Sequence, residues 1–313
     1  MFNAQDFIKE KIEWLKKEIG DNEAAIVAAS GGVDSSVTAI LGHKVLGNKL
    51  KVIFLDDGLM REGEPEAVNN IFKKMGINLT IYDVKKDFFD AMKGLTDPEE
   101  KRKKFRETFY NTFTRIADEL KIKVVLQGTI AADVIETSKG VKTQHNVLEQ
   151  IGINPLTKFG FQIVEPVIDL FKPEVREVAK ALGLPKEVIE RKPFPGPGLS
   201  VRTLGEITPE KVDIVRKASL IVEEETRNID SFQAFAVLLN DKATGVTKDG
   251  TRIYGNIVVI RVINSTNALT ATPTKIPWDV LEKIKKRITT EFPNITRVLY
   301  DITTKPPSTI EFE

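Results

Sequence analysis

The pattern of apolar and polar positions changes about two thirds of the way along the chain. Before that point, short continuous apolar runs typical of buried strands alternate with segments whose apolar residues recur three and four positions apart, which predict amphipathic helices. Strands separated by helices predict an α/β fold with a doubly wound parallel sheet. The predicted strands cover residues 24–29, 50–58, 79–84, 123–129 and 161–166, and the predicted helices cover residues 6–19, 35–45 and 64–75.

The pattern after residue 182 predicts a second, smaller unit. The segment Arg191–Arg202 contains three prolines and two glycines, which neither a helix nor a central strand accepts, and it therefore predicts a linker. Beyond it, helices at residues 209–228 and 278–291 and strands at residues 232–239, 255–263 and 297–303 predict an α+β unit. We expect one domain over residues 1–191 and another over residues 192–313.

The residues after the first predicted strand, Ser30–Ser36 with the sequence SGGVDSS, join a strand end to a helix start. Two glycines allow backbone N–H groups to converge there, and the helix dipole adds positive potential, so the loop predicts a phosphate site. The alternative is an ordinary glycine-containing turn. The loop lacks the lysine of the common nucleotide-binding loop. Asp56, Gln127 and Glu165 lie at the ends of other predicted strands and should border the same crevice.

Composition excludes several classes of protein. The 313 residues are 41% apolar and 29% charged, which is typical of a globular protein with substantial cores. A formal net charge of +1 lacks the basic excess of a protein that binds long nucleic acid. The absence of cysteine excludes disulfides, thiolate metal sites and cysteine nucleophiles. Without a secretory segment or an apolar run of membrane-spanning length, we expect a cytoplasmic protein with no membrane or nucleic-acid partner.

Eight motifs in order are the basis of a resemblance to a known family. From about Ala24 to Glu313 the chain resembles the ATP pyrophosphatase part of GMP synthetases, an adenine nucleotide alpha hydrolase-like fold followed by a smaller C-terminal dimerisation domain. Three positions depart from the family pattern, with Asp57, Gln144 and Lys192 where Asn, His and His are common. The motifs are SGGVDSS (30–36), DDGLMR (56–61), DPEEKRKK (97–104), QGTIAADVIET (127–137), KTQHNV (142–147), VEP with LFKPEVR (164–176), KPFPGPGLSVR (192–202) and TKPPSTIEFE (304–313).

The resemblance implies a reaction in two steps. The O2 oxygen of XMP attacks the α-phosphorus of MgATP with release of pyrophosphate, and ammonia then displaces AMP to give GMP. This chemistry depends mainly on positioning the substrates and neutralising the charge on the diphosphate. The resemblance makes Asp34 a catalytic residue and the ligand of Mg²⁺, an ion that prefers oxygen ligands, and we select Lys172 as a second diphosphate contact. The implied ATP-binding residues are Ser30, Gly31, Gly32, Val33, Asp34, Ser35 and Ser36.

Each of these two assignments has a simpler alternative. Asp34 is also suited to the first turn of a helix, where the dipole favours a carboxylate. Lys172 is also read as an ordinary solvated lysine.

The resemblance also assigns residues to XMP. Arg102 lies in the basic run Lys101–Lys104, after the helix-start signals Asp97 and Pro98, and a guanidinium suits phosphate; without the resemblance the run reads as a solvated helix face. The TKPPSTIEFE segment has the composition of a segment that is held in place, although termini often fray. The implied XMP contacts are Arg102, Gln233, Arg297, Lys305, Ile310 and Glu311.

A polar, glycine-punctuated stretch over residues 137–158 resembles the lid of the family. There, Lys142, His145 and Asn146 would close over the nucleotides and exclude water. We expect His145 to be the third catalytic residue. The other histidine, His43, lies in a predicted helix and is expected to have a packing or surface role.

The source of ammonia and the partners follow from the same reasoning. Glutamine amidotransferases of the usual kind need a cysteine nucleophile, so we expect a separate glutaminase subunit, and the resemblance suggests a homodimer. Two alternatives remain: another amidating or tRNA-modifying ATP pyrophosphatase, such as NAD synthetase, and a nucleotide-sensing module without turnover. Sulfur-transferring tRNA enzymes generally need cysteines and a basic surface, and an NAD synthetase would lack the proline-rich segment and the TIEFE ending.

Overall fold

The computed structural model describes residues 2–20, 23–138, 155–247, 249–266 and 268–313. The chain forms two compact units. The first comprises Met1–Asp56, Gly63–Val84 and Glu107–Arg191, and the second comprises Asp57–Glu62, Lys85–Arg106 and Lys192–Glu313. Two stretches that the sequence assigned to the first domain, 57–62 and 85–106, are thus grouped with the second unit. Within the described ranges, no helix is both long and apolar enough to cross a lipid bilayer.

The first unit contains a sheet of five strands, all parallel. The strand order is β3-β2-β1-β4-β5. The strands β2 and β3 therefore lie on one side of β1, and the later strands β4 and β5 lie on the other side. This order confirms the predicted doubly wound parallel sheet, and each strand is shorter than predicted. The strands are β1 (Ala25–Ala28), β2 (Leu50–Asp56), β3 (Leu79–Asp83), β4 (Val124–Leu126) and β5 (Gln162–Val164).

The helices of the first unit connect these strands. The first helix, α1 (Ala4–Ile19), begins at the Asn3 side chain, which accepts hydrogen bonds from two backbone N–H groups, and ends at Gly20 with φ 81°. That glycine is the stop that the sequence predicts. The other helices of this unit are α2 (Val33–Leu46), α3 (Glu64–Lys74), α6 (Ala131–Ser138), α7 (Pro155–Phe159), α8 (Lys172–Ala181) and α9 (Lys186–Ile189); α4 (Lys85–Met92) belongs to the second unit, and α5 (Pro98–Glu119) has residues in both.

The second unit is built on a smaller sheet. The long strands β6 (Gln233–Val246) and β7 (Arg252–Asn264) are antiparallel, β8 (Thr272–Pro273) pairs with one end of β7, and β9 (Ile295–Tyr300) runs parallel to β7. The helices α10 (Pro209–Glu225) and α11 (Trp278–Glu291) complete the unit. This architecture confirms the predicted α+β class, and only the two-residue strand β8 had no counterpart among the predicted strands.

The prediction of a linker over residues 191–202 is wrong for residues 198–202, whereas the boundary between the two units does fall within the segment, between Arg191 and Lys192. Residues Gly198–Arg202 form a short 3-10 turn in which every residue is buried. The Leu199 N–H donates to the Leu59 carbonyl oxygen at 2.7 Å, and a Cβ on Gly198, whose φ is 61°, would lie 2.4 Å from that same oxygen. The glycines and prolines therefore shape a tight turn inside the second unit instead of providing flexibility.

Candidate active site

The SGGVDSS loop lies at the point where the strand order reverses. It follows β1, and β1 pairs with β2 on one side and with β4 on the other. Ligands of open α/β sheets bind outside the carboxyl ends of the strands at such a point. Gly32 precedes α2, and no side chain caps this helix. The N–H groups of its first turn also have no partner within the helix, so with the helix dipole they form an anion site.

Serine hydroxyls stabilise the loop internally. The Ser35 hydroxyl donates to the Gly32 carbonyl oxygen at 3.1 Å and accepts from the Ser30 N–H at 3.3 Å. The hydroxyls of Ser30 and Ser35 are 3.1 Å apart. Ser36 is buried, and its hydroxyl has no hydrogen-bond partner among the described residues. The hydrogen bonds of Ser30 and Ser35 therefore fix the conformation of the loop.

Arg191 fixes the loop from outside. Its guanidinium donates to the Gly31 carbonyl oxygen at 2.9 Å and pairs at 2.7 Å with the buried carboxylate of Glu64. Gly31 has φ 79°, and a Cβ there would lie 2.5 Å from Val68 and 2.6 Å from Arg191. Only glycine fits this conformation and this space. We did not predict the role of Arg191, because its partner is 160 residues away and the local pattern carries no signal.

Close packing of β4 against α2 completes the floor of the site. A Cβ on Gly128 would lie 2.9 Å from the backbone of Asp34 and Ser35, so the glycine lets the helix start approach the strand end. The Gln127 side chain donates to Glu165 at 3.2 Å, which confirms that the ends of β4 and β5 converge. Asp57, one of the three positions that depart from the family pattern, belongs to the second unit and accepts a hydrogen bond from the Leu59 N–H at 2.8 Å.

Two of the three predicted catalytic residues are in direct contact. The Lys172 ammonium donates to Asp34 Oδ2 at 2.5 Å, although the two residues are 138 positions apart. The other oxygen, Asp34 Oδ1, is buried without a hydrogen-bond partner in the described part of the chain. Lys172 is the first residue of α8, where the helix dipole disfavours a cation. The ion pair with Asp34 compensates for this position, and the Lys172 side chain is 41% exposed. The third predicted residue, His145, lies outside the described residues, as do Lys142, Gln144 and Asn146.

The basic run at the start of α5 does not form one solvated face. Asp97 caps this helix by accepting from two backbone N–H groups at 2.9 Å, which confirms the predicted start. Arg102 is exposed and pairs with Glu99 one turn away. Lys101, in contrast, is fully buried, and burial lowers the pKa of its ammonium, although an ion pair with Glu313 opposes this shift. The sequence did not single out Lys101.

The other residues assigned to XMP make separate contacts in the second unit. Gln233 is buried, and its amide donates to the Pro193 carbonyl oxygen at 3.1 Å. The amide oxygen of Gln233 has no partner among the described residues. Lys305 donates to the Ala268 carbonyl oxygen at 2.8 Å. Arg297 is exposed on β9 and donates to the backbone of Thr296.

Glu311 is held by a buried arginine. Its two oxygens accept from Arg202 Nε at 2.8 Å and from Arg202 Nη2 at 2.9 Å. Arg202 is 2% exposed, and its guanidinium lies 3.9 Å from the ring centre of Phe235, a cation–π contact. A bidentate pair of this kind fixes the carboxylate in one orientation.

A second buried arginine holds the residues just before Glu311. Arg261 is fully buried and donates to the carbonyl oxygens of Ile310 at 3.0 Å and Thr309 at 2.7 Å. It also donates to the Ser308 hydroxyl at 2.9 Å and pairs with Asp301. These contacts confirm that the TKPPSTIEFE segment is held in place.

Comparison with known proteins assigns both parts of the chain. A family model described as NAD synthase matches residues 4–197, and one described as GMP synthase C terminal domain matches residues 221–312. The B-type subunit of GMP synthase (glutamine-hydrolyzing) from Methanopyrus kandleri is 50% identical over 321 residues, and that from Methanocaldococcus jannaschii is 51% identical over 318 residues; each match covers 100% of both chains. The corresponding protein from Archaeoglobus fulgidus is 51% identical, covering 99% of this chain and all of that one.

The solved structure of NMN synthetase from Francisella tularensis is similar over 68% of this chain and 85% of that chain, with a TM-score of 0.49 and 17% identity. The matches to the curated relatives extend through the SGGVDSS loop, the buried turn after residue 192 and the terminal segment alike. The chain therefore belongs to the family of B-type GMP synthase subunits.

Proposed function

We propose that this chain is the ATP pyrophosphatase subunit of GMP synthase and converts XMP to GMP with ATP and ammonia. The observation that carries the proposal is the contact of Asp34 with Lys172 beside the SGGVDSS loop, in a chain about half identical along its whole length to B-type subunits of GMP synthases.

The proposed mechanism uses the loop to hold the leaving group. The O2 oxygen of XMP attacks the α-phosphorus of ATP, and the bond to the β-phosphate oxygen breaks as pyrophosphate leaves. The N–H groups at the start of α2 and the Lys172 ammonium stabilise the negative charge that develops on the diphosphate. Ammonia then attacks C2 of the adenylated base, AMP leaves with the O2 oxygen, and GMP forms after loss of a proton.

We further propose that Asp34 holds Mg²⁺. Mg²⁺ in nucleotide sites is usually bound by one or two carboxylates together with phosphate oxygens and water. The buried, unpartnered Oδ1 atom of Asp34 fits such a ligand set. When bound, the ion would neutralise charge on the phosphate oxygens. Asp34 would hold the ion, and Lys172 would contact the diphosphate directly.

The XMP site is proposed to lie in the second unit. Its contacts are Arg102, Gln233, Arg297, Lys305, Ile310 and Glu311. The buried amide oxygen of Gln233 that has no partner among the described residues supports this assignment, because a base N–H group would satisfy it. We retain His145 as the proposed catalytic residue of the lid.

The first test measures the nitrogen source. With XMP, MgATP and ammonium chloride, the purified chain is expected to form GMP, AMP and pyrophosphate in equal amounts. Glutamine is expected to support no GMP formation until a glutaminase subunit is added, because the 313 residues contain no cysteine nucleophile. Omission of Mg²⁺ in the presence of EDTA should abolish all three products. Efficient glutamine use by the chain alone would contradict the two-subunit assignment.

We also propose that the chain is a homodimer through its second unit. Val246 on β6 and Tyr254 on β7 are 67% and 69% exposed. They lie on the same face of the sheet, because Tyr254 pairs with Thr244, two residues before Val246, and contiguous exposed apolar residues mark interaction sites. Light scattering is expected to give twice the chain mass of 35.0 kDa. A mass of 35.0 kDa at assay concentrations would refute the proposal.

A further inference from the structure

We propose that Lys101 is a positioning residue for XMP: its ammonium joins the helix turn that carries Arg102 to the segment that carries Glu311, through Glu313. The inference rests on the proposed roles of Arg102 and Glu311 in XMP binding. It concerns a residue that does not itself touch the nucleotide.

The first observation is the burial of a lysine that the local pattern places in a basic run. Lys101 is fully buried, whereas its neighbours Arg102 and Lys103 are exposed. Its ammonium donates to the carbonyl oxygens of Thr203 at 2.9 Å and Gly205 at 3.0 Å. A lysine is almost never fully buried without such partners. The side chain is therefore directed into the second unit by specific contacts.

The second observation is that the same ammonium pairs with Glu313. The Glu313 side chain is 7% exposed and forms an ion pair with Lys101. One of its oxygens also accepts from the Gly205 N–H at 3.3 Å, and the Glu313 N–H donates to the Val201 carbonyl oxygen at 3.2 Å. The Lys101 ammonium therefore connects three segments: the first turn of α5, residues 201–205 and the terminal segment.

The third observation is that two of these segments contain residues assigned to XMP. Arg102 follows Lys101 directly, and Glu311 lies two residues before Glu313. Glu311 is bound by Arg202, which belongs to the same buried turn. Residues 198–205 therefore hold Glu311 through Arg202, and they hold the start of α5 through Lys101.

The proposed role of Lys101 in XMP binding is separable from its contribution to the fold. When Lys101 is changed, the Glu313 carboxylate loses its partner, which is expected to lower the free energy of unfolding. The terminal segment is expected to keep its contacts with Arg202 and Arg261, whereas the first turn of α5 loses the contacts that orient Arg102. A misplaced binding group weakens the binding of substrate and transition state alike, which raises KM and leaves kcat unchanged. Loss of Lys101 should thus act on XMP and spare ATP, whose proposed loop lies in the first unit.

The experiment replaces Lys101 with methionine in the full chain and measures ammonium-dependent kinetics. Lys101→Met is expected to raise the KM for XMP about 10- to 100-fold, as for the loss of one hydrogen bond to a charged group, while kcat and the KM for ATP change by less than about threefold. The matched control is Lys103→Met, an exposed lysine of the same turn, which is expected to behave as the parent chain. A Lys101→Met variant that folds and has an unchanged KM for XMP would overturn the inference.

A double-mutant cycle tests the route through Glu313. If Lys101 acts through this carboxylate, the effects of Lys101→Met and Glu313→Gln on the KM for XMP are expected to be non-additive, because residues of one ion pair are coupled. Additive effects would overturn the route. If Lys101→Met does not fold, Glu313→Gln carries the test alone: a selective rise in the KM for XMP supports the inference, and an equal rise for both nucleotides contradicts it.

Calorimetric titration of XMP distinguishes this inference from the proposed function. A parent chain that binds no XMP refutes the proposed function, and with it the site that Lys101 would position. A parent chain that binds XMP, together with a Lys101→Met variant of equal affinity, refutes only the role of Lys101.

Discussion

Asp34→Asn and Lys172→Ala are each expected to lower the rate of ammonium-dependent GMP formation by about 100-fold or more. The two side chains meet at 2.5 Å beside the SGGVDSS loop, where Lys172 would neutralise charge on the leaving diphosphate and Asp34 would hold the Mg²⁺ ion that does the same. The measurement is kcat with XMP, MgATP and ammonium at saturation. Both variants should remain folded, because the pair is partly exposed and such pairs contribute little to stability.

The matched control is Lys180→Ala. Lys180 lies in the last turn of α8 and is exposed, so it tests whether loss of any lysine from this helix reduces turnover. It is expected to retain the parent rate. Rates within a few-fold of the parent for Asp34→Asn and Lys172→Ala would exclude both residues from the site.

Glu311→Ala is expected to lower the free energy of unfolding by about 3–5 kcal/mol. The substitution removes the carboxylate that accepts from both Nε and Nη2 of Arg202, and Arg202 is too deeply buried for water to replace it. An uncompensated buried charge is the reason for the large effect. Urea unfolding followed by circular dichroism measures the loss.

An exposed ion pair provides the comparison. Arg287 and Glu224 are 2.6 Å apart, but both remain about 40% exposed. Glu224→Ala is expected to cost at most about 1 kcal/mol. Similar small losses for Glu224→Ala and Glu311→Ala would show that Arg202 is solvated in solution and would contradict the buried pair.

The sequence predicts best the features whose causes are local. Short apolar runs predicted all five strands of the first unit, including β3, which is half-exposed. The SGGVDSS loop is also predictable from a local pattern, because two glycines between a strand and a helix start allow N–H groups to converge. Gly31 has the positive φ that such a loop needs.

The features that the sequence did not predict have distant partners. Lys101 looks solvated within its own helix turn, and its burial depends on residues about 100 and 200 positions further along the chain. The proline-rich stretch around Gly198 was interpreted as a linker because its buried neighbours, such as Leu59, come from another part of the sequence. Asp34 and Lys172 were chosen separately, and only the fold brings them into contact.

The three buried cations of the second unit also constrain the order in which that unit can form. Lys101, Arg202 and Arg261 find their carboxylate partners in Glu313, Glu311 and Asp301, all within residues 301–313. During synthesis the three cations emerge from the ribosome well before these acids. Since a buried charge without a partner is strongly unfavourable, we expect the core of the second unit to close only after residues 301–313 are available. All segments of the first unit, in contrast, have been made once residue 191 is added.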